Sequence, residues 1–183
     1  MTAGQAPVRV VLIGPECTGK TSLAADLALH FDAPWSPEYA RTFVEEHPRD
    51  VEYADVDAIG RGQAAVEDRA VGVARQLGSP LVVHDTDLVS TLVYSRHYYG
   101  NCPEWFASAI PGRLADLYLL HDIDVPWIED GYQRAPPERR RELFTLFAST
   151  LNDVGARTVR IVGTWDDRRA IAVAAVESLL TRD

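Results

Sequence analysis

Gly14-Pro15-Glu16-Cys17-Thr18-Gly19-Lys20-Thr21 decides how the rest of the chain is read. Two glycines flank four residues and are followed by a lysine and a hydroxyl, the pattern of a nucleotide phosphate-binding loop. The context is the one the pattern requires. Val8, Val10, Val11, Leu12 and Ile13 form a short apolar run ended by Gly14, which reads as a buried parallel strand. From Gly19 to His30, Leu23, Ala24, Leu27 and Ala28 recur at helical spacing. In a strand-loop-helix unit of this kind the backbone amides from Gly14 through Glu16, Cys17, Thr18 and Gly19 ring the β-phosphate, and the helix dipole favours the anion. Lys20 is expected to reach between the β- and γ-phosphates, and Thr21 to bind magnesium. The nucleotide is ATP or GTP.

Further along, a brief strand is expected within Asp32–Pro37 and a helix over Glu38–Glu45. A long helix follows over Asp57–Leu77, with Ile59, Val66, Ala70, Val73 and Leu77 as its apolar stripe and Gly78 and Pro80 closing it. Leu81–Val83 leads as a strand into His84 and Asp85. Asp87–Tyr98 and Trp105–Ile110 read as helices, Asp116–His121 as a strand, Glu138–Leu151 as a helix entered through Pro136 and Pro137, and Thr158–Val162 as a strand. Thr164 and Asp167 can form a capping box for a last helix that buries Ile171, Ala174 and Leu179. Strand and helix alternate, and the central strands are short and apolar. The expected fold is therefore α/β, a P-loop NTPase with a parallel sheet covered on both faces by helices. A single domain spans 1–183, with a period-free segment at about 122–137 that reads as a lid.

The chain of 183 residues, 46% hydrophobic and 25% charged, suits one domain with its own core. With 27 acidic against 18 basic residues its net charge is -9, which would repel a phosphodiester backbone. Nucleic acid is not expected as a partner. Cys17 and Cys102 have no paired spacing, Met1–Pro7 has neither an apolar core nor a basic flank, and no apolar stretch reaches spanning length. A cytoplasmic protein without membrane attachment is expected, and a homo-oligomer is compatible with the sequence.

Asp85 lies where a buried strand ends, the edge at which ligands of open α/β sheets gather. It is assigned to the metal and to the acceptor's proton, with Asp87 either helping there, on the acceptor side, or capping a helix. Glu38, Tyr39 and Arg41 follow the second strand and form a compact set for a small polar acceptor, Glu38 being able to accept ribose hydroxyls. In the lid, Trp127, Asp130, Gly131 and Arg134 lack a packing period, and Arg134 is the expected catalytic lid charge, with Arg139 and Arg140 in reserve. The dense basic run Arg139-Arg140-Arg141 also reads as a solvated helix face. His47, His84, His97 and His121 lie apart, with no metal-site spacing.

Taken in order, the phosphate loop with its internal Glu16, Glu38-Tyr39-Ala40-Arg41, Gly62-Gln63, Asp85-Thr86-Asp87, and Pro126-Trp127 followed by Asp130-Gly131 and Arg134 resemble one family across nearly the whole chain. It is the ribosylnicotinamide kinase domain that forms the carboxyl-terminal half of bacterial bifunctional NAD-biosynthesis proteins. The resemblance implies phosphorylation of the ribose 5'-hydroxyl of nicotinamide riboside, using ATP and magnesium. It implies Lys20 and Thr21 for ATP and metal, Asp85 and Asp87 for metal and acceptor, Glu38 and Arg41 for the nucleoside, and Trp127 and Arg134 for the lid. Ala40 stands where the family has glycine, and Cys17 and Thr18 where it has serines. The adenylyltransferase domain that precedes this one in the family has no counterpart ahead of Val8, so a separate enzyme is expected to finish the pathway. From a different class, a nucleotide-dependent regulator that hydrolyses ATP slowly is the competing expectation. An acceptor pocket separates the two.

Overall fold

A computed structural model describes residues 6–126 and 139–181. Its sheet has five parallel strands: β1 (Val8–Ile13), β2 (Trp35–Ser36), β3 (Leu81–Asp85), β4 (Leu117–His121) and β5 (Thr158–Ile161), in the order β2-β3-β1-β4-β5. The helices are α1 (Lys20–His30), α2 (Tyr39–Glu46), α3 (Val56–Leu77), α4 (Leu88–Tyr99), α5 (Trp105–Ala109), α6 (Arg140–Asp153) and α7 (Trp165–Leu180). Single 3-10 turns at Tyr53–Asp55 and Ile110–Gly112 flank α3 and α5.

Alternation along β1 separates the two layers. Val10 and Leu12 pack with Leu23 and Leu27 of α1 and with Ala172 and Val176 of α7. Val11 and Ile13 face the other way, onto Leu92 and Val93 of α4 and Leu143 and Phe147 of α6. Helices thus cover both faces, as a sheet of short apolar strands requires. Because β1 has β3 on one side and β4 on the other, the chain reverses direction across the sheet at β1. The crevice of such a fold opens at the carboxyl ends of these three strands.

Two helix faces differ from the sequence reading. On α3 the buried series is Val56, Ile59, Gly60, Gln63, Glu67, Ala70 and Ala74, whereas Val73 and Leu77 of the apolar stripe are exposed. On α7 it is Arg168, Ala172 and Val176, not Ala174. In both, a polar side chain occupies a core-facing position because it has partners there. Gln63 accepts from the Tyr39 amide and donates to the Thr86 carbonyl, and Glu67 pairs with Arg9 and Arg113. The capping box of Thr164 and Asp167 is present. β3 runs on past Val83 and includes His84 and Asp85. No described helix is long and apolar enough to cross a membrane.

Candidate functional site

The phosphate loop emerges from β1 and enters α1 through Gly19, whose φ of 82° is left-handed and suits glycine. Gly14 is constrained by space as well, since a Cβ there would lie 2.7 Å from the His121 carbonyl oxygen. Three neighbouring elements hold the loop. From α4, Tyr94 donates to the Gly14 carbonyl at 3.3 Å and Tyr98 to Glu16 Oε1 at 3.1 Å. From the end of β4, His121 Nδ1 donates to the Thr18 carbonyl at 2.9 Å, and from α7, Arg168 Nη1 reaches the same oxygen at 3.3 Å. Within the loop, the Pro15 carbonyl accepts from Lys20 Nζ at 2.8 Å and from the Thr18 hydroxyl at 2.9 Å. Burial pushes the His121 imidazole down to about 3, so it is neutral, and Nδ1 carries the proton that Thr18 accepts.

Asp85 ends β3 beside this loop. It is fully buried, and neither carboxylate oxygen meets a hydrogen-bond donor in good geometry. Burial pushes its carboxyl up to about 6 and the charge of Glu38 pushes the same way, while the Thr21 hydroxyl, Lys20 and Arg41 act against them. A buried carboxylate with so little hydrogen bonding, in the field of a cation and a hydroxyl, is a stored cost that a bound cation or acceptor would relieve. Glu38 occupies the position before α2, yet its side chain caps nothing. It accepts instead from Arg41 Nε at 3.1 Å. Thus the structure brings Lys20, Thr21, Asp85, Glu38 and Arg41 into one electrostatic neighbourhood.

Asp87 is differently placed. Its Oδ1 accepts from the amides of Val89 and Ser90 at the start of α4, and its Oδ2 from the Tyr118 hydroxyl at 2.7 Å. Both oxygens are engaged and the side chain is buried; the geometry gives it the capping role. Tyr39 lies over Gly62, where a Cβ would stand 2.0 Å from its ring. Between the two aspartates, Thr86 takes a left-handed φ of 67°, unusual for a β-branched residue.

A family model described as an AAA domain matches residues 9–168. The chain belongs to the AAA domain family. Its curated relatives include the trifunctional NAD biosynthesis/regulator protein NadR of Escherichia coli (strain K12), 29% identical over 157 residues, which are 83% of this chain and 37% of that protein. The match therefore spans about a third of that relative's length. Among solved structures, NadR protein in complex with NR superposes with a TM-score of 0.82 at 27% identity, covering 94% of this chain and 51% of the other. NadR protein in complex with NAD and AMP-PNP gives 0.77 at 26%, covering 94% and 49%.

In this AAA domain, Trp127 and Arg134 lie outside the described residues, as do Asp130 and Gly131. Of the reserve arginines, Arg139 is exposed, whereas Arg140 is buried and donates to the Val125 carbonyl at 3.1 Å, which departs from a wholly solvated basic face. His121, Arg168, Tyr94, Tyr98 and Tyr118 escaped the sequence reading. One signal was available for Arg168. It stands one and two helical turns ahead of Ala172 and Val176, in register with a buried face.

Proposed function

We propose that the protein is an ATP- and magnesium-dependent kinase that phosphorylates the ribose 5'-hydroxyl of nicotinamide riboside or a related nucleoside, in the cytoplasm. The observation that carries this reading is Asp85: a buried carboxylate with no hydrogen bond of good geometry, within electrostatic reach of Lys20 and Thr21 of the phosphate loop and also of Glu38 and Arg41, which pair with each other. A site for one nucleotide alone has no need of the second pair. The NadR structures with NR and with AMP-PNP support both halves of the reading.

The donor set fits magnesium, a hard cation that takes oxygen ligands. Thr21 and Asp85 would hold it. Among the described residues no cluster of three or more His, Cys, Asp or Glu could hold a metal, so phosphate oxygens and water would complete its shell. Once bound, it neutralises charge on the transferring group.

The chain's own residues do the rest. Lys20 exchanges the Pro15 carbonyl for phosphate oxygens, and the loop amides hold the β-phosphate. Glu38 accepts ribose hydroxyls while Arg41 fixes its carboxylate. Asp85, whose carboxylate burial makes more basic, would take the proton that the attacking hydroxyl loses. Catalysis of this kind is chiefly positioning and charge stabilisation.

The test is an acceptor screen with purified protein, ATP and magnesium. The panel holds nicotinamide riboside, nicotinic acid riboside, the common nucleosides and deoxynucleosides, and no acceptor. Phosphorylation of a ribosylnicotinamide at a rate well above the others is expected. ATP hydrolysis indifferent to every acceptor would replace this reading with that of a regulatory ATPase.

A further inference from the structure

The Arg168 guanidinium is 2% exposed, and a charge so placed is costly unless its donors are satisfied. The ends of three strands satisfy them. Nε donates to the Gly163 carbonyl at 2.9 Å, Nη1 to the Thr18 carbonyl at 3.3 Å, and Nη2 to the Asp122 carbonyl at 3.3 Å and to the Asp124 carboxylate. Gly163 closes the ring by donating its amide to Asp124 Oδ2 at 2.6 Å. One side chain in the first turn of α7 therefore joins the loop after β1, the segment after β4 and the turn after β5.

The contact with Thr18 has a directional consequence. Its carbonyl faces two buried donors, His121 and Arg168. In a trans peptide the carbonyl of one residue and the N–H of the next point opposite ways in one plane, and no described peptide bond is cis. The Gly19 N–H is thereby turned away from the buried guanidinium and imidazole. A cation bonded to the carbonyl also polarises the peptide, strengthening the N–H as a donor to an anion.

We propose that Arg168 is a positioning residue of the phosphate site: it holds the Thr18–Gly19 peptide with the Gly19 N–H turned toward the nucleotide's phosphate oxygens, and ties that orientation to the segment after β4. The inference rests on the phosphate-loop reading and adds to it a residue nearly 150 positions from the motif. Charge alone does not account for the arrangement, because an ammonium has three donors and no planar fork, and cannot serve these four acceptors together.

The test compares wild type, Arg168→Met and Arg168→Lys by calorimetric titration with magnesium and AMP-PNP, alongside the amide resonances of Gly19 and, as a distant reference on α3, Gly72. Arg168→Met is expected to bind AMP-PNP roughly tenfold more weakly and Arg168→Lys about threefold, the scale of one impaired charge-assisted contact. The Gly19 amide proton should move upfield in both while Gly72 stays. A merely structural arginine would lower the melting temperature without singling out Gly19. If Arg168→Met does not fold, Arg168→Lys carries the test. Wild-type affinity in Arg168→Lys, or weaker binding with an unmoved Gly19 resonance, overturns the inference. A wild-type protein that fails to bind AMP-PNP overturns the phosphate-loop reading instead, and the Gly19 resonance alone then decides whether Arg168 orients the peptide.

Discussion

The Tyr118 hydroxyl donates to Oδ2 of Asp87 at 2.7 Å, so the second aspartate of Asp85-Thr86-Asp87 is committed to the fold while the first is not. The pair should respond oppositely to mutation. Asp87→Asn keeps an oxygen for the Val89 and Ser90 amides and should leave turnover within about threefold, asparagine being a good N-cap. Asp87→Ala removes the cap and strands the Tyr118 hydroxyl, costing about 1–3 kcal/mol of stability. Asp85→Asn should lose roughly a hundredfold or more in turnover, the scale of one lost electrostatic contact in the transition state. Its melting temperature should hold or rise, because an ionised, unpartnered carboxylate is no longer buried. Calorimetry with steady-state kinetics on the three variants decides this. High activity in Asp85→Asn with low activity in Asp87→Asn would exchange the roles.

Gly62 tests the acceptor side separately. A Cβ there would stand 2.0 Å from the Tyr39 ring, so Gly62→Ala must displace Tyr39 and with it the start of α2, where Glu38 and Arg41 stand. The KM for the nucleoside should rise roughly tenfold while the Kd for AMP-PNP stays near wild type, as expected when positioning of one substrate is lost. Equal losses for both substrates would mean that the change damages the fold.

The pH dependence of stability follows from groups shifted in opposite directions. Burial pushes His84 and His121 down to about 3 from 6.5. The folded state then binds fewer protons than the unfolded state, and the stability these histidines contribute is full above 6.5 and falls as pH drops from 6.5 toward 3. Burial pushes Glu67 up to about 7, Asp85 up to about 6, and Asp87 upward as well. Their contribution is full below their unfolded values near 4 and is lost as pH rises through 6 to 7. Between about pH 6.5 and 4.5 the two sets oppose each other. Below about 4 the histidines act unopposed, each with a slope approaching 1.4 kcal/mol per pH unit. They are joined there by Asp55, which the Arg49 guanidinium holds down to about 2 and whose contribution is lost as pH falls through that range. The urea midpoint should therefore hold or rise slightly as pH drops from 6.5 to 4.5 and fall steeply below 4. A steady fall beginning at pH 6.5 would mean that Glu67 and Asp85 are ionised throughout.

What was legible in the sequence was whatever is local or periodic. The phosphate loop is contiguous, the strands are short apolar runs, and Asp85 is found by its place at the end of one of them. What escaped depends on contacts distant in sequence. His121 and Thr18 are 103 positions apart, Arg168 and Thr18 are 150 apart, and neither pair leaves a periodic trace. The buried faces of α3 and α7 were misplaced for a related reason. A stripe drawn through apolar residues alone passes over Gln63, Glu67 and Arg168, which face inward toward hydrogen-bond and ion-pair partners on other elements.

Thr86 supplies the last prediction. It is buried and left-handed, its amide donates to the Leu12 carbonyl at 3.0 Å and its carbonyl accepts from Gln63 Nε2 at 3.2 Å. A β-branched residue held at positive φ costs of order 1–3 kcal/mol, and here the bonds on both sides enforce it. Glycine adopts the same φ without that cost, though it adds roughly 1 kcal/mol of freedom to the unfolded chain. Thr86→Gly should therefore be neutral to stabilising by up to about 2 kcal/mol, the difference between those two terms. Function should move the other way. Thr86 joins Asp85 to the cap of α4, and a glycine there loosens the carboxylate that must face the phosphate loop, so turnover should fall roughly tenfold with AMP-PNP affinity little changed. Denaturant unfolding and steady-state kinetics on the one variant read both effects. Lower stability with unchanged turnover would mean that the threonine side chain stabilises the fold by more than its strained backbone costs, and that its stiffness does not hold Asp85 in place.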